Sequence, residues 1–196
     1  MANQSDEFIT RVSEFYKSIR LPANLPRPLP NAITKKIDGI SYKVTYNKYG
    51  FPNFADHMTP IKVNGIIVRK KFDKDWTIPK SKNKVDLDKA RKADLKNATS
   101  WALEKDASGK LVNFPDGKVR AKSNEKIEIL KDGGDPTKDA DWIEQTWHHH
   151  ENGKDIIPIP TKLHNTGSGG LAHSGGMAVR YGDVDITSII EYSPFD

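Results

Sequence analysis

The chain has 196 residues, 36% of them hydrophobic, with 31 Lys and Arg against 26 Asp and Glu and a net charge of +5. That length holds one ordinary domain, or one domain plus an extension, and no apolar run approaches the ~20 residues of a membrane helix. Without a single cysteine, the sequence excludes disulfides, thiolate zinc fingers, cysteine nucleophiles and Cys-ligated zinc deaminases.

The opening residues, Met1 to Glu7, have neither the basic start nor the apolar run of a signal peptide. Phe8, Ile9, Val12, Phe15, Tyr16 and Ile19 then line one face of a predicted helix over residues 5–20. Pro22, Pro26, Pro28 and Pro30 break it and predict an extended linker, with a domain boundary near residues 32–36. The chain thus divides into an N-terminal helix and proline-rich linker, residues 1–36, and a main domain, residues 37–196.

Within the main domain, Ile40, Tyr42, Val44 and Tyr46 alternate with polar residues, the pattern of a half-buried strand. Residues 47–50 read as a turn, and 61–68 as one or two strands around Asn64-Gly65. A helix is predicted from about Val85 to Leu103, with Leu87, Ala90, Asp94, Ala98, Trp101 and Ala102 on one side. Between Lys35 and Lys96 there are 16 Lys or Arg residues, a bias that suits a polyanion such as nucleic acid, or an ordinary solvated basic surface. Turn signals fill residues 106–122, Ile127, Ile129 and Leu130 predict a short strand, and residues 132–136 a loop. Met177 to Tyr181 look strand-like, and Val184 to Ile190 a short helix or strand.

Five of the six histidines lie between positions 148 and 173. Histidine can serve as a neutral metal ligand in one place and a proton acceptor near pH 7 in another. Residues 145–150 predict a strand, 151–154 a hairpin turn carrying Asn152-Gly153, and 155–159 the returning strand. Pro160 opens a helix, with His164 about one turn in. Strand neighbours point to opposite faces, so His148 and His149 cannot both bind one ion without a bulge or a twisted strand end. A division of labour follows: one histidine binds metal and its neighbour acts on water as general base.

The blocks Thr146-Trp147-His148-His149-His150, Ile159-Pro160-Thr161-Lys162-Leu163-His164 and His173-Ser174-Gly175-Gly176, in this order, resemble the HNH/endonuclease VII superfamily, in its Trp-His-His toxin branch. Gly50-Phe51-Pro52-Asn53-Phe54 is similar to a Gly-x-Pro-x-Phe segment found upstream in these domains. The resemblance implies an α+β fold with a ββα-metal (His-Me finger) nuclease core at about residues 142–180, with additional strands and a helix around it. It implies His148, His164 and His173 as metal ligands, His149 as the base that activates water, and Asp155 as a brace for the loop bearing that base. The implied cofactor is one divalent ion, Mg²⁺ or Zn²⁺, with Mn²⁺ or Ni²⁺ also open; an all-histidine site favours zinc, nickel or manganese on softness grounds. The implied function is metal-dependent endonuclease cleavage of DNA, by the toxin domain of a bacterial effector. Its implied partners are DNA and a cognate immunity protein, with synthesis in the bacterial cytoplasm and delivery into a target cell.

Gly167, Gly169 and Gly170 depart from the pattern, because they end the helix and bring His173 in from a loop. Other residues read more plainly: His57 as structural or superficial, Asp155 and Glu151 as hydrogen-bonding or solvated sooner than catalytic, Trp101 and Trp142 as core. His-Glu-x-x-His is absent, which disfavours a zinc protease. Two alternatives stand beside the DNase. One is a ribonuclease using the same histidines. The other is a non-catalytic module in which His148, His164 and His173 hold a structural zinc.

Overall fold

A computed structural model describes residues 32–45, 52–63, 65–73, 77, 83–115, 117–150, 155–165 and 171. The helix expected at 5–20, the proline-rich segment, the turn at 47–50, the hairpin turn at 151–154 and the elements expected at 177–190 lie outside these residues.

The first described element is a hairpin of β1 (Ala32–Ile37) and β2 (Ile40–Thr45), so residues 32–36 belong to a paired strand. Asp38 and Gly39 form its two-residue turn, both at positive φ, the mirror-image turn that suits the right-handed twist of paired strands. A 3-10 turn, Ala55–His57, leads to a second antiparallel pair, β3 (Ile61–Val63) and β4 (Ile66–Val68), where one or two strands were expected over 61–68. After β5 (Phe72–Asp73) comes the main helix, α1 (Lys84–Ala102). The Asn83 side chain caps it by accepting from the Val85 amide at 3.0 Å, and Asp86 adds a favourable charge in its first turn.

The second half is dominated by β-structure. β6 (Val119–Ser123), β7 (Lys126–Leu130), β8 (Trp142–His149) and β9 (Asp155–Pro160) pair antiparallel in succession, and β5 joins β9 to give the order β5-β9-β8-β7-β6. A single helical turn, α2 (Thr161–His164), follows β9 directly. β9 carries Pro158 and Pro160, and β5 pairs only with its first two residues.

The sheet is covered on both faces. On one, Leu95, Ala98 and Ala102 of α1 pack with Ile127, Ile129, Trp147 and Ile156. On the other, Ile157 and Ile159 pack with Val44, Phe54, Met58, Leu163 and Leu171. Ile156 and Ile157 are chain neighbours in different cores, as strand alternation requires. Each fully buried Ile, Leu or Phe side chain contributes roughly 1.5–3 kcal/mol.

This architecture corrects the expected fold class. The described part of the chain is mostly β-sheet, a curled five-stranded half-barrel with one main helix, and not an α+β protein built on a ββα-metal nuclease core. The physical reason is long-range pairing. β6 and β7 extend the sheet on one side of the β8–β9 hairpin and β5 on the other. The helix after β9 is four residues long, and Asn165 is already extended, before the glycines are reached. Among the described residues, no helix is long and apolar enough to cross a membrane.

Candidate active site

β8 runs into its histidines with Trp147, His148, His149 and His150 all buried. Alternation sends these side chains to two sides of the sheet. Toward α1, Trp147 donates its indole N–H to Thr99 Oγ1 at 2.9 Å. Two residues on, His149 Nε2 meets Asp94 Oδ2 at 3.1 Å. Thr99 and Asp94 lie five residues apart on α1, which runs backwards over the strand, so one helix supplies both partners.

Asp94 has a further anchor. Both its oxygens accept the Thr77 amide, each at 3.1 Å, and Oδ1 accepts the Thr77 hydroxyl at 2.5 Å. Burial works against ionisation of Asp94, but the hydrogen bonds from His149 and Thr77 outweigh it and hold the carboxyl below the usual carboxylate range. Burial likewise pushes His149 below the ordinary imidazole range. It outweighs the hydrogen bond and charge of Asp94, and the positive charge of Arg91 adds to it. An ionised Asp94 therefore accepts an N–H from a neutral His149.

On the opposite side, the partners come from α2. Thr146 and Thr161 share a hydroxyl hydrogen bond at 2.8 Å. Two residues further along β8, His148 Nδ1 lies 3.2 Å from His164 Nε2. The spacing i, i+2 on the strand matches i, i+3 on the helical turn. Phe54 packs edge-on to His148, with ring centroids 5.1 Å apart, and tilted against His164 at 5.8 Å. His164 Nδ1 donates to Asn165 Oδ1 at 3.1 Å, which leaves the lone pair of His164 on Nε2, facing His148. Burial lowers the pKa of His164, against the Asn165 hydrogen bond, and Arg91 and Lys126 push the same way as burial. His148 and His149 are the last residues of β8, so the two pairs lie toward one end of the sheet.

The donor chemistry of the second pair fits a metal ion. Two imidazole nitrogens, each ~2.0–2.1 Å from a tetrahedral ion, stand about 3.3 Å apart. The observed 3.2 Å falls on that span. Among the described residues no cluster of three or more His, Asp or Glu side chains is spaced to hold an ion, and His173, the third expected ligand, lies outside them.

Asp155 is buried at the start of β9 and accepts Lys71 Nζ at 2.8 Å through Oδ2. Its carbonyl accepts the His150 amide at 2.9 Å, so the residue closes the base of the β8–β9 hairpin. The His150 ring is wholly buried. His57 bonds the Lys43 carbonyl at 2.9 Å, a structural contact. Trp101 packs against Phe72 and Phe114, whereas Trp142 lies under the Arg120 guanidinium, 4.4 Å from its carbon. Asp94 and Thr77 were not expected as site residues. A carboxylate on the apolar stripe of α1 was the available sign of Asp94, since such a group demands buried partners; nothing local marks Thr77.

No protein-family model, curated protein or solved structure matches the chain.

Proposed function

We propose that this chain is a metal-dependent endonuclease that hydrolyses phosphodiester bonds of DNA. The observation that carries the reading is the convergence of His148 and His164 at 3.2 Å, with His149 one residue away on the other side of the strand. The first two, with His173, would hold one divalent ion, and imidazole donors favour zinc or nickel over magnesium. Such an ion, when bound, stabilises negative charge on the phosphate as the P–O bond breaks.

The remaining work falls to the chain itself. His149, neutral by burial, accepts a proton from the attacking water. Arg91 adds positive charge beside both histidine pairs, which favours a phosphate there. Asp155 braces the strand end, through Lys71 and the His150 amide, and transfers no proton. On the Trp-His-His resemblance, the activity belongs to a bacterial effector delivered into a target cell, and a cognate immunity protein blocks it.

Supercoiled plasmid, incubated with wild type and His164→Ala in Mg²⁺, Mn²⁺ or Zn²⁺ and with chelator, tests the proposal. The expected result is ion-dependent nicking, lost in the variant while its circular dichroism stays native. A folded wild type that cuts plasmid with none of these ions overturns the DNase reading. Unfolding on chelation, without prior cleavage, would mark the ion as structural.

A further inference from the structure

The pair formed by His149 and Asp94 is built with more care than a packed histidine requires. Both side chains are buried, at 5% and 3% exposure. Asp94 comes from a helix 55 residues away in sequence and interrupts that helix's apolar stripe. Its orientation is fixed independently of the histidine, because Thr77 delivers a hydroxyl to Oδ1 and an amide shared by both oxygens. That leaves Oδ2 turned toward the imidazole. A carboxylate only accepts, so His149 must donate from Nε2, and its lone pair then sits on Nδ1.

We propose that Asp94 is a positioning residue that locks His149 in the Nε2–H tautomer, with Nδ1 as the proton-accepting nitrogen, and that Thr77 sets the direction of the lock. The catalytic part of this inference rests on the endonuclease reading; the tautomer does not. Thr77 makes the consequence of one substitution specific. In Asp94→Asn, a carboxamide that keeps its carbonyl oxygen at the Oδ1 position accepts both the Thr77 hydroxyl and the Thr77 amide, and this is the orientation the lock predicts. Its NH₂ then faces His149 and donates to Nε2, which drives the proton to Nδ1. The ring remains in place with its lone pair on the wrong nitrogen. When Thr77→Val is added, the hydroxyl is lost, the carboxamide gains freedom to turn, and the Asp94→Asn defect is partly relieved.

The experiment reads tautomers directly. Histidine ¹⁵N–¹H long-range correlation spectra, with His149 assigned by its loss in His149→Ala, are recorded for metal-free wild type, Asp94→Asn and Asp94→Asn/Thr77→Val. Nε2–H in wild type, Nδ1–H in Asp94→Asn and a mixture in the double variant support the lock. Nδ1–H in wild type, or Nε2–H retained in a folded Asp94→Asn, overturns it. Plasmid cleavage is measured in parallel, with an expected loss in Asp94→Asn of about 10²–10⁴ in turnover and little change in KM or in Zn²⁺ affinity. Asp94→Asn within threefold of wild type overturns the catalytic role of the lock. A wild type inactive with every ion, but with the tautomer switch present, supports the lock and refutes the endonuclease reading instead.

Discussion

The two sides of β8 carry the same device with different chemistry. Toward α1, Trp147 and His149 are held by Thr99 and Asp94 from a helix of 19 residues. Toward α2, Thr146 and His148 are held by Thr161 and His164 from a single helical turn. In each case a residue pair two apart on the strand meets a helical pair, with a hydroxyl at one contact and a histidine at the other. The second partner makes the difference. A carboxylate gives its histidine a defined donor nitrogen, whereas a second imidazole gives two nitrogens that can share a cation. One strand thereby sets two kinds of histidine pair on its two sides without a break in its register with β9.

The largest expected effect separates the sides by activity and binding. His149→Ala should lower DNA cleavage by about 10²–10⁴ and leave Zn²⁺ binding by calorimetry unchanged. His148→Ala should abolish both. If His149→Ala also lost the ion, the division between the sides would collapse. Trp147→Ala comes next, at about 3–5 kcal/mol in urea unfolding, because it empties the core under α1. Zn²⁺ at a hundredfold excess over its Kd should stabilise wild type and His149→Ala by about 2.7 kcal/mol in thermal unfolding, and His164→Ala not at all. Thr99→Val should cost about 1–3 kcal/mol in urea unfolding, by leaving the buried Trp147 N–H without its acceptor. The smallest effect is expected away from both sides. Lys62→Ala breaks an exposed pair with Asp132 and should cost about 0–1 kcal/mol.

The local part of this arrangement was legible before any coordinates. The order read over residues 145–164, strand, Asn152-Gly153 turn, return strand and a helix opened by Pro160, matches β8, β9 and α2, with Pro160 itself the last residue of β9 and the cap of the helix. The helix predicted from Val85 to Leu103 is α1, within a residue at each end. Alternation also foretold that His148 and His149 would part company. The sheet was not legible. Pairing of β7 with β8, and of β5 with β9, joins segments whose contacts leave no local periodic trace, so a small metal-nuclease core was expected in place of the half-barrel. Thr77 escaped for the same reason, since its bonds to Asp94 span 17 residues with no motif at either end. Asp94 was on the predicted helix face, but an isolated acidic residue among Leu87, Ala90 and Ala98 does not name its partner.

The two prolines of β9 have a consequence at the rim of the sheet. The Asp155 carbonyl points to β8, where it receives the His150 amide. Backbone groups on a strand alternate direction, so Pro158 and Pro160 have the parity of Ile156, whose partner on the other side is Phe72 of β5. Past the end of that two-residue strand, β9 therefore turns two buried nitrogens that carry no hydrogen to that side. A strand laid along that side of β9 would find no N–H donor at either position. Among the described strands, β6 forms the opposite border, three strands away from β9, and a strand added there meets no proline.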